Sequence, residues 1–339
     1  MAPRGRAPRR AAAGSVTGVV GPTRRRRGTA MGATTPATAT AARNVATNAL
    51  LPTLAMIGVI VAWGLGPPIS KLITAPPLVT VSYRLTISVP ILYLMVRFSG
   101  GRVDRALLRR CLIPGVFFGA NLAIVFAAFQ EATIVVISVL NAMQPAVVLL
   151  AARPLFGERP GAWHLSWTAV GFGGTVAVIL GAGSEVRTTT AGLVLSTLAM
   201  LTFTAYFLAT KRVRAGLADV GAIEWMLGVS IFAVATVVPI TLATSDRADL
   251  LAVAGSDWLW MAWAVLGTGI AGHVLMSWVH RYIPVSRSSL YLLAMNVVAI
   301  TAAWPIHDEP VTVVQALGGL VVLGAVAAVG RRPLSPPAT

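Results

Sequence analysis

From residue 49 onward the chain falls into ten apolar stretches of about 20 residues each, and this pattern constrains its fold more than any other feature. The stretches run roughly 49–73, 78–98, 111–130, 133–153, 162–182, 191–211, 222–244, 258–280, 286–305 and 311–330. About 20 residues is the length a helix needs to cross a hydrocarbon core of about 30 Å. The bilayer offers no water to unpaired backbone groups, so each crossing must satisfy its own hydrogen bonds, as a helix does. Open sheet is excluded by the same argument, and a barrel would show short alternating segments instead. The expected fold class is therefore an all-α membrane protein with ten transmembrane helices. Composition agrees: 56% of residues are apolar and 11% are charged, against about a quarter charged in soluble domains.

Loop charge tests the count independently, because cytoplasmic loops are enriched in Lys and Arg. With the N-terminus inside, the inner loops hold fourteen cations. These are Arg97, Arg102, Arg105, Arg109, Arg110, Arg153, Arg159, Lys211, Arg212, Arg214, Arg281, Arg287, Arg331 and Arg332. The outer loops hold Arg187 and Arg247, together with the acids Glu131, Glu185, Asp246, Asp249, Asp257, Asp308 and Glu309. One missed helix would scramble this alternation. Both termini are predicted cytoplasmic, with the chain in the cell inner (plasma) membrane. Trp258, Trp260 and Trp263 open the eighth span at the outer face, and Trp278 and Tyr282 close it at the inner face. Trp163 and Trp167 sit at the inner end of the fifth span, and Trp304 at the outer end of the ninth. Amphipathic rings favour these interfaces, so most of these tryptophans are read as anchors.

The net charge of +16 is uneven: nine arginines and no acids lie in residues 1–48. Residues 1–44 have no period and no aromatic residue, too little apolar surface to offset ordering, and are expected to be disordered. Arg24, Arg25, Arg26 and Arg27 suit an anionic lipid surface. The plainer alternatives are a tail without a role, or translation from Met31, which lowers the charge to +8. No apolar run follows these arginines before residue 49, so the segment is not read as a secretory signal. The charge speaks of a tail and of sidedness, not of nucleic acid, which is not an expected partner. One cysteine, Cys111, allows no intrachain disulfide. The histidines His164, His273, His280 and His307 show no metal-ligand spacing, and no metal or cofactor is expected.

The ten spans divide into two halves of nearly equal length, 49–182 and 191–330, between the tail 1–48 and a short cytoplasmic tail 331–339. Five crossings is an odd number, so the second half enters the membrane from the opposite side, the geometry of an inverted repeat. The fourth span ends in Phe156-Gly157-Glu158-Arg159-Pro160 and the ninth in His307-Asp308-Glu309-Pro310. A carboxylate and a proline before a helix stabilise its first turn, so Glu158 and Glu309 are read as hairpin staples.

These segments carry a resemblance. Ala62-Trp63-Gly64, Tyr83-Arg84, Gln144-Pro145 and Gly157-Glu158-Arg159-Pro160 resemble the EamA-type repeat of the drug/metabolite transporter superfamily. So do Ala205-Tyr206 leading to Lys211-Arg212, and Asp308-Glu309-Pro310. The resemblance covers about residues 49–330. It implies ten helices in two inverted five-helix repeats, a central cavity, and export of small metabolites or drugs. One departure stands out. Pro145 lies 13 residues before Glu158, but Asn296 lies 13 before Glu309. The family tends to have proline in both copies, so the ninth span is expected to kink less, or Asn296 to face substrate.

Ionisable groups inside apolar spans are functional candidates. Lys71 and Arg84 lie in the outer thirds of their spans, where long side chains snorkel to water. Arg84 is the deeper; it either snorkels or lines an outer vestibule, with Glu131 as its partner. Glu224, early in the seventh span, is a candidate for proton coupling or a plain helix end. His273 is the most central titratable group, and His280 lies seven residues on along nearly the same helix face. The two either relay protons, or His273 bonds a neighbouring helix while His280 sits at the interface. Trp63, Asn121, Asn141, Gln144, Tyr206, Tyr291 and Asn296 complete the substrate-binding candidates. Each polar group here needs a partner in hydrocarbon, which a neighbouring helix or a substrate supplies. With no carboxylate and no fixed cation expected at the midplane, a neutral or zwitterionic, partly apolar substrate is expected. Pro67, Pro68, Pro90, Pro114, Pro145 and Pro239 interrupt spans and are candidate hinges.

Gly267-Thr268-Gly269-Ile270-Ala271-Gly272 is a literal GxGxxG. A dinucleotide site needs that pattern between a strand and a helix. Inside an apolar span it instead allows close helix packing. The resulting expectation is a carrier that moves small molecules by alternating access in contact with lipid, and exports them, rather than an enzyme. The alternatives are an uncoupled facilitator or importer, a membrane-embedded enzyme, and a non-transporting scaffold.

Overall fold

The computed structural model describes residues 36–181, 183, 188–217, 219–308 and 310–331. Among them ten helices are long and apolar enough to cross a membrane. The first five are α1 (Leu50–Ser70), α2 (Pro77–Phe98), α3 (Arg105–Val125), α4 (Val136–Phe156) and α5 (Ala162–Leu180). The second five are α6 (Thr190–Ala215), α7 (Ala222–Thr244), α8 (Asp257–Val279), α9 (Val285–His307) and α10 (Val313–Arg331). Each expected span is met by one of these helices. The helix that contains α1 begins at Pro36, so residues 36–48, expected in the disordered tail, are helical. The Arg24–Arg27 run, Glu185, Arg187, Glu309 and Arg332 lie outside the described residues.

Helix ends follow local chemistry. The Asp104 carboxylate accepts from the Leu107 amide at 2.7 Å, satisfying a free donor at the start of α3. Thr189 does the same for α6, accepting from Gly192 at 2.9 Å. α4 stops at Gly157, whose φ of 68° suits glycine. α9 stops at Asp308 with φ 54°, in the same left-handed conformation. These two residues hold matching places in the two halves, and a short polar side chain tolerates there what glycine does.

Four helices are interrupted. α1 turns at Leu65, just before Pro67 and Pro68, and α4 turns at Met143, just before Pro145. α8 is π-helical over Ala264–Ala271, the region of the GxGxxG pattern, so that pattern lies inside a helix and not after a strand. α9 turns between Tyr291 and Ala294, although it has no proline there. The expectation of a milder kink in the ninth span is therefore corrected: the break is present in both halves. Pro90, Pro114 and Pro239 stay inside continuous helices.

Residues Thr47–Thr339 form one unit. α3 packs against α6 and α7, and α5 against α10. Small residues set these distances. A Cβ on Gly174 of α5 would stand 2.9 Å from the Gly318 carbonyl of α10, and one on Gly318 would stand 2.8 Å from that of Gly174. One buried cluster joins α2, α3, α7 and α8 around Trp225, and another joins α1, α4, α6, α8 and α9 around Phe207 and Met276. Leucines such as Leu150, Leu317 and Leu320 are exposed on the outside of the helices. In water this would be a liability, whereas lipid tails cover it without cost. Trp258 and Trp304 are also exposed near helix ends, as interface anchors are.

Candidate functional site

A narrow cleft, with room for little more than a water molecule in this conformation, lies where α2, α3, α7 and α8 meet. Small-molecule sites run to roughly 300–1,000 Å³, so the cleft has to widen to hold a substrate. Arg84 and Ser88 of α2 line it one helical turn apart, so they share a face. Opposite them stand Gly269 and His273 of α8, also one turn apart, with Phe118 of α3 and Ser230 of α7 between. Each half of the chain thus supplies two helices to one cavity.

His273 is buried and held in an aromatic cluster. Its Nδ1 shares a hydrogen bond of 3.2 Å with the Tyr206 hydroxyl of α6. Its ring lies 4.8 Å from that of Trp63 and 4.7 Å from that of Phe118, and Phe118 stacks on Tyr206 at 4.8 Å. The Trp63 indole N–H donates to the Thr268 carbonyl at 3.2 Å, inside the π-helical stretch. The π-helix leaves carbonyls without their usual partner, and this bond satisfies one of them. Gly272 makes the arrangement fit, since a Cβ there would stand 2.7 Å from Trp63 Cδ1.

Arg84 enters the same cavity. Its Nε is buried without a hydrogen-bond partner, and a Cβ on Gly269 would stand 3.4 Å from it. No carboxylate lines the cavity. Glu131, the expected partner, instead accepts from the Thr189 hydroxyl at 2.7 Å, at the α3–α6 junction. A cation, Arg84, therefore lines the cavity. Arg84 begins in the outer third of α2, but its long side chain reaches the cavity that His273 lines.

The remaining candidates go elsewhere. Asn121 donates to the Ala199 carbonyl at 2.8 Å, tying α3 to α6. Asn296 donates to Leu293 at 3.2 Å within its own interrupted helix. Gln144 is buried beside the break in α4, its Nε2 without a partner, and Asn141 lies just before that break. Tyr291 packs with Trp167 and Phe172 near α10. Glu224 lies against Gly101 and Gly221 at the start of α7, close enough that neither glycine has room for a Cβ. His280 has neither ring nitrogen bonded and meets Phe207 edge-on at 4.6 Å. Ser88, Phe118, Ser230 and Gly269 were not among the sequence candidates. Ser88 and Gly269 carried a signal, each lying four residues from a candidate.

Glu158 does more than staple its own hairpin. It accepts from the Val285 amide at 2.8 Å, the Ser286 amide at 3.1 Å and the Ser286 hydroxyl at 2.7 Å. It therefore caps α9, in the other half of the chain. Asp257 at the start of α8 accepts from the Thr74 amide, the Thr74 hydroxyl and the Ala75 amide at 3.0–3.2 Å, holding the α1–α2 connection.

A profile of the EamA-like transporter family matches the chain twice, over residues 50–180 and 190–331. These are the two five-helix halves. A solved structure, described only as the crystal structure of a protein, is 20% identical with a TM-score of 0.69. The match covers 82% of this chain and 96% of that one, and shows a shared fold. Comparison with curated proteins returns no match.

Proposed function

Because the chain belongs to the EamA-like transporter family, we propose that it carries small metabolites or drugs across the inner (plasma) membrane by alternating access, in the direction of export. Both termini face the cytoplasm in this reading, as the charge of the loops requires. The observation that carries it is the cavity between α2, α3, α7 and α8, to which both repeats contribute. With five crossings per repeat the second copy stands inverted, and rocking one copy against the other exposes a shared midplane site to each side in turn. The breaks in α1, α4 and α9 lie inside the spans, where such rocking can use them as hinges. Among the sequence candidates, Arg84 and His273 line the site, with Trp63 and Tyr206 behind His273.

Proton coupling through His273 and Glu224 is the less supported form of this reading. His273 is committed to Tyr206, while Glu224 is not in the cavity wall. His280, seven residues further on, is about 10 Å away along a helix axis. An uncoupled facilitator fits these positions better. The family is one of transporters, and neither an enzyme nor a scaffold reading has an observation of its own.

Purified protein in liposomes, loaded in turn with labelled neutral, cationic and anionic compounds, tests the proposal by counterflow. Exchange above protein-free vesicles supports a carrier, and its absence across the panel overturns one. Exchange that persists after the pH gradient is dissipated identifies a facilitator.

A further inference from the structure

The cation in the cavity wall says what kind of molecule the cavity takes. The Arg84 Nε is buried and unpartnered, and no Asp or Glu shares the cavity. Its neighbour Ser88 offers no counter-charge, since the Ser88 hydroxyl donates to the Arg84 carbonyl at 2.6 Å. Beyond the neutral polar groups of Ser230 and His273, the wall is apolar: Leu85, Leu92, Phe118, Met226 and Ile270. A charge placed at membrane depth without a partner is unfavourable unless something that arrives completes it. Helix packing alone gives no reason for an arginine here. A leucine would fill the same wall with no charge to desolvate.

We propose that the cleft, in a wider state than this one, takes a small organic anion, a carboxylate on a flat apolar body, with the carboxylate on the Arg84 guanidinium and the body against Phe118 and the aromatic cluster around His273. Guanidinium is the side chain whose planar donors match a carboxylate. Phe118 presents a ring at the cavity wall, and Trp63 and Tyr206 fix the His273 ring beside it. This replaces the neutral or zwitterionic cargo expected from sequence, because an ammonium group would find no carboxylate in the wall. It rests on the carrier reading only for transport; binding stands apart from it.

The experiment compares phenylacetate, phenylacetamide and phenethylammonium, which share a body and differ in charge. Binding to the full chain in detergent is read by quenching of intrinsic tryptophan fluorescence, and transport by counterflow in liposomes. Phenylacetate is expected to bind wild type at least tenfold more tightly than either analogue. Arg84→Gln is expected to remove that preference, with circular dichroism and thermal unfolding like those of wild type reporting that the variant folds. Arg84→Lys is expected to recover part of it. The inference is overturned by an amide that binds wild type as tightly as the acid, by acid binding that is unmoved in Arg84→Gln, or by no acid binding at all. Phenylacetate that binds through Arg84 but does not exchange across the vesicle wall leaves the site standing and removes the carrier.

Discussion

Two regions of this molecule hold cations packed among the helices, and they use them differently. Where α6 ends and α8 turns into α9, Lys211 donates to the carbonyls of His280 and Ile283. Arg214, only 2% exposed, donates to Gly221 at 3.1 Å, and Arg281 to Leu217 and Val220. Arg212 reaches Leu155 at 2.7 Å, and Arg287 reaches Gly330 at 2.6 Å. Each of these cations meets carbonyls at the end of a helix or in the turn after it, where the backbone has acceptors to spare. Arg214, Arg281 and Arg287 share with Arg84 a buried Nε without a partner, but each of them donates to carbonyls through its Nη atoms, and among the described residues Arg84 has no such carbonyl. The arginines of the first group close helix ends; the same residue type in the cavity is left for something that comes and goes. The contrast separates structural from functional charge without reference to any other sequence.

The contrast breaks most visibly at Glu158, an acid that bridges the halves close to these cations. Glu158→Ala removes three hydrogen bonds and leaves two α9 amides without an acceptor. With charged hydrogen bonds at about 1.5–3 kcal/mol each and partial replacement by water, a loss of about 3 kcal/mol is expected. Unfolding in detergent followed by circular dichroism measures it; a variant as stable as wild type would mean the cap is incidental. Lys211→Met is expected to cost less, about 2 kcal/mol, because two carbonyls lose a donor but remain near water. Arg84→Met is the opposing case. Replacing an unpaired buried charge with an apolar side chain is neutral or stabilising. Its stability is expected within about 1 kcal/mol of wild type, or above it, while exchange of phenylacetate is abolished. A large drop in stability instead would place Arg84 with the cations that close helix ends.

The organic-anion reading also bears on energetics. An anion leaving a cell whose interior is negative gains about 2.3 kcal/mol per charge at 100 mV. A facilitator can then export without titrating any group, which suits a His273 held by Tyr206 and a Glu224 outside the cavity. Clamping the vesicle potential with potassium and valinomycin is expected to bias phenylacetate flux toward the positive side. A flux indifferent to potential and driven by pH would restore His273 as a coupling group.

The ten helices were legible in the sequence because bilayer thickness sets span length and loop charge sets sidedness, two signals that do not depend on packing. Helix polar residues were not, because hydrogen bonding to a neighbour and facing a cavity look identical along one chain. Asn121 and Asn296 went to carbonyls, and Arg84 went to the cavity, against the reading by depth alone. Depth gives where a backbone sits, whereas an arginine side chain reaches several ångströms from it. The inter-repeat role of Glu158 was hidden for a similar reason. Its spacing to Pro160 fits a local staple, and nothing in the sequence places α9 beside it.

The break in α9 gives the smallest effect and the sharpest test of what local sequence controls. Pro145 accounts for the turn in α4, since it lacks an N–H. α9 has Asn296 at the matching place and turns anyway, with Met295 and Asn296 amides bonding three residues back to Leu292 and Leu293. The packing partner supplies the reason. Gly64, where α1 itself turns, sits so close that a Cβ on it would stand 2.7 Å from the Met295 carbonyl. Two interrupted helices from different repeats thus meet at their breaks, and the turn in α9 belongs to that contact more than to Asn296. Asn296→Ala is therefore expected to lose only its bond to Leu293, at most about 1 kcal/mol, with exchange intact. A variant that loses exchange while remaining folded would show that the Asn296 amide holds the turn open, and that the second repeat achieves with a side chain what the first achieves with proline.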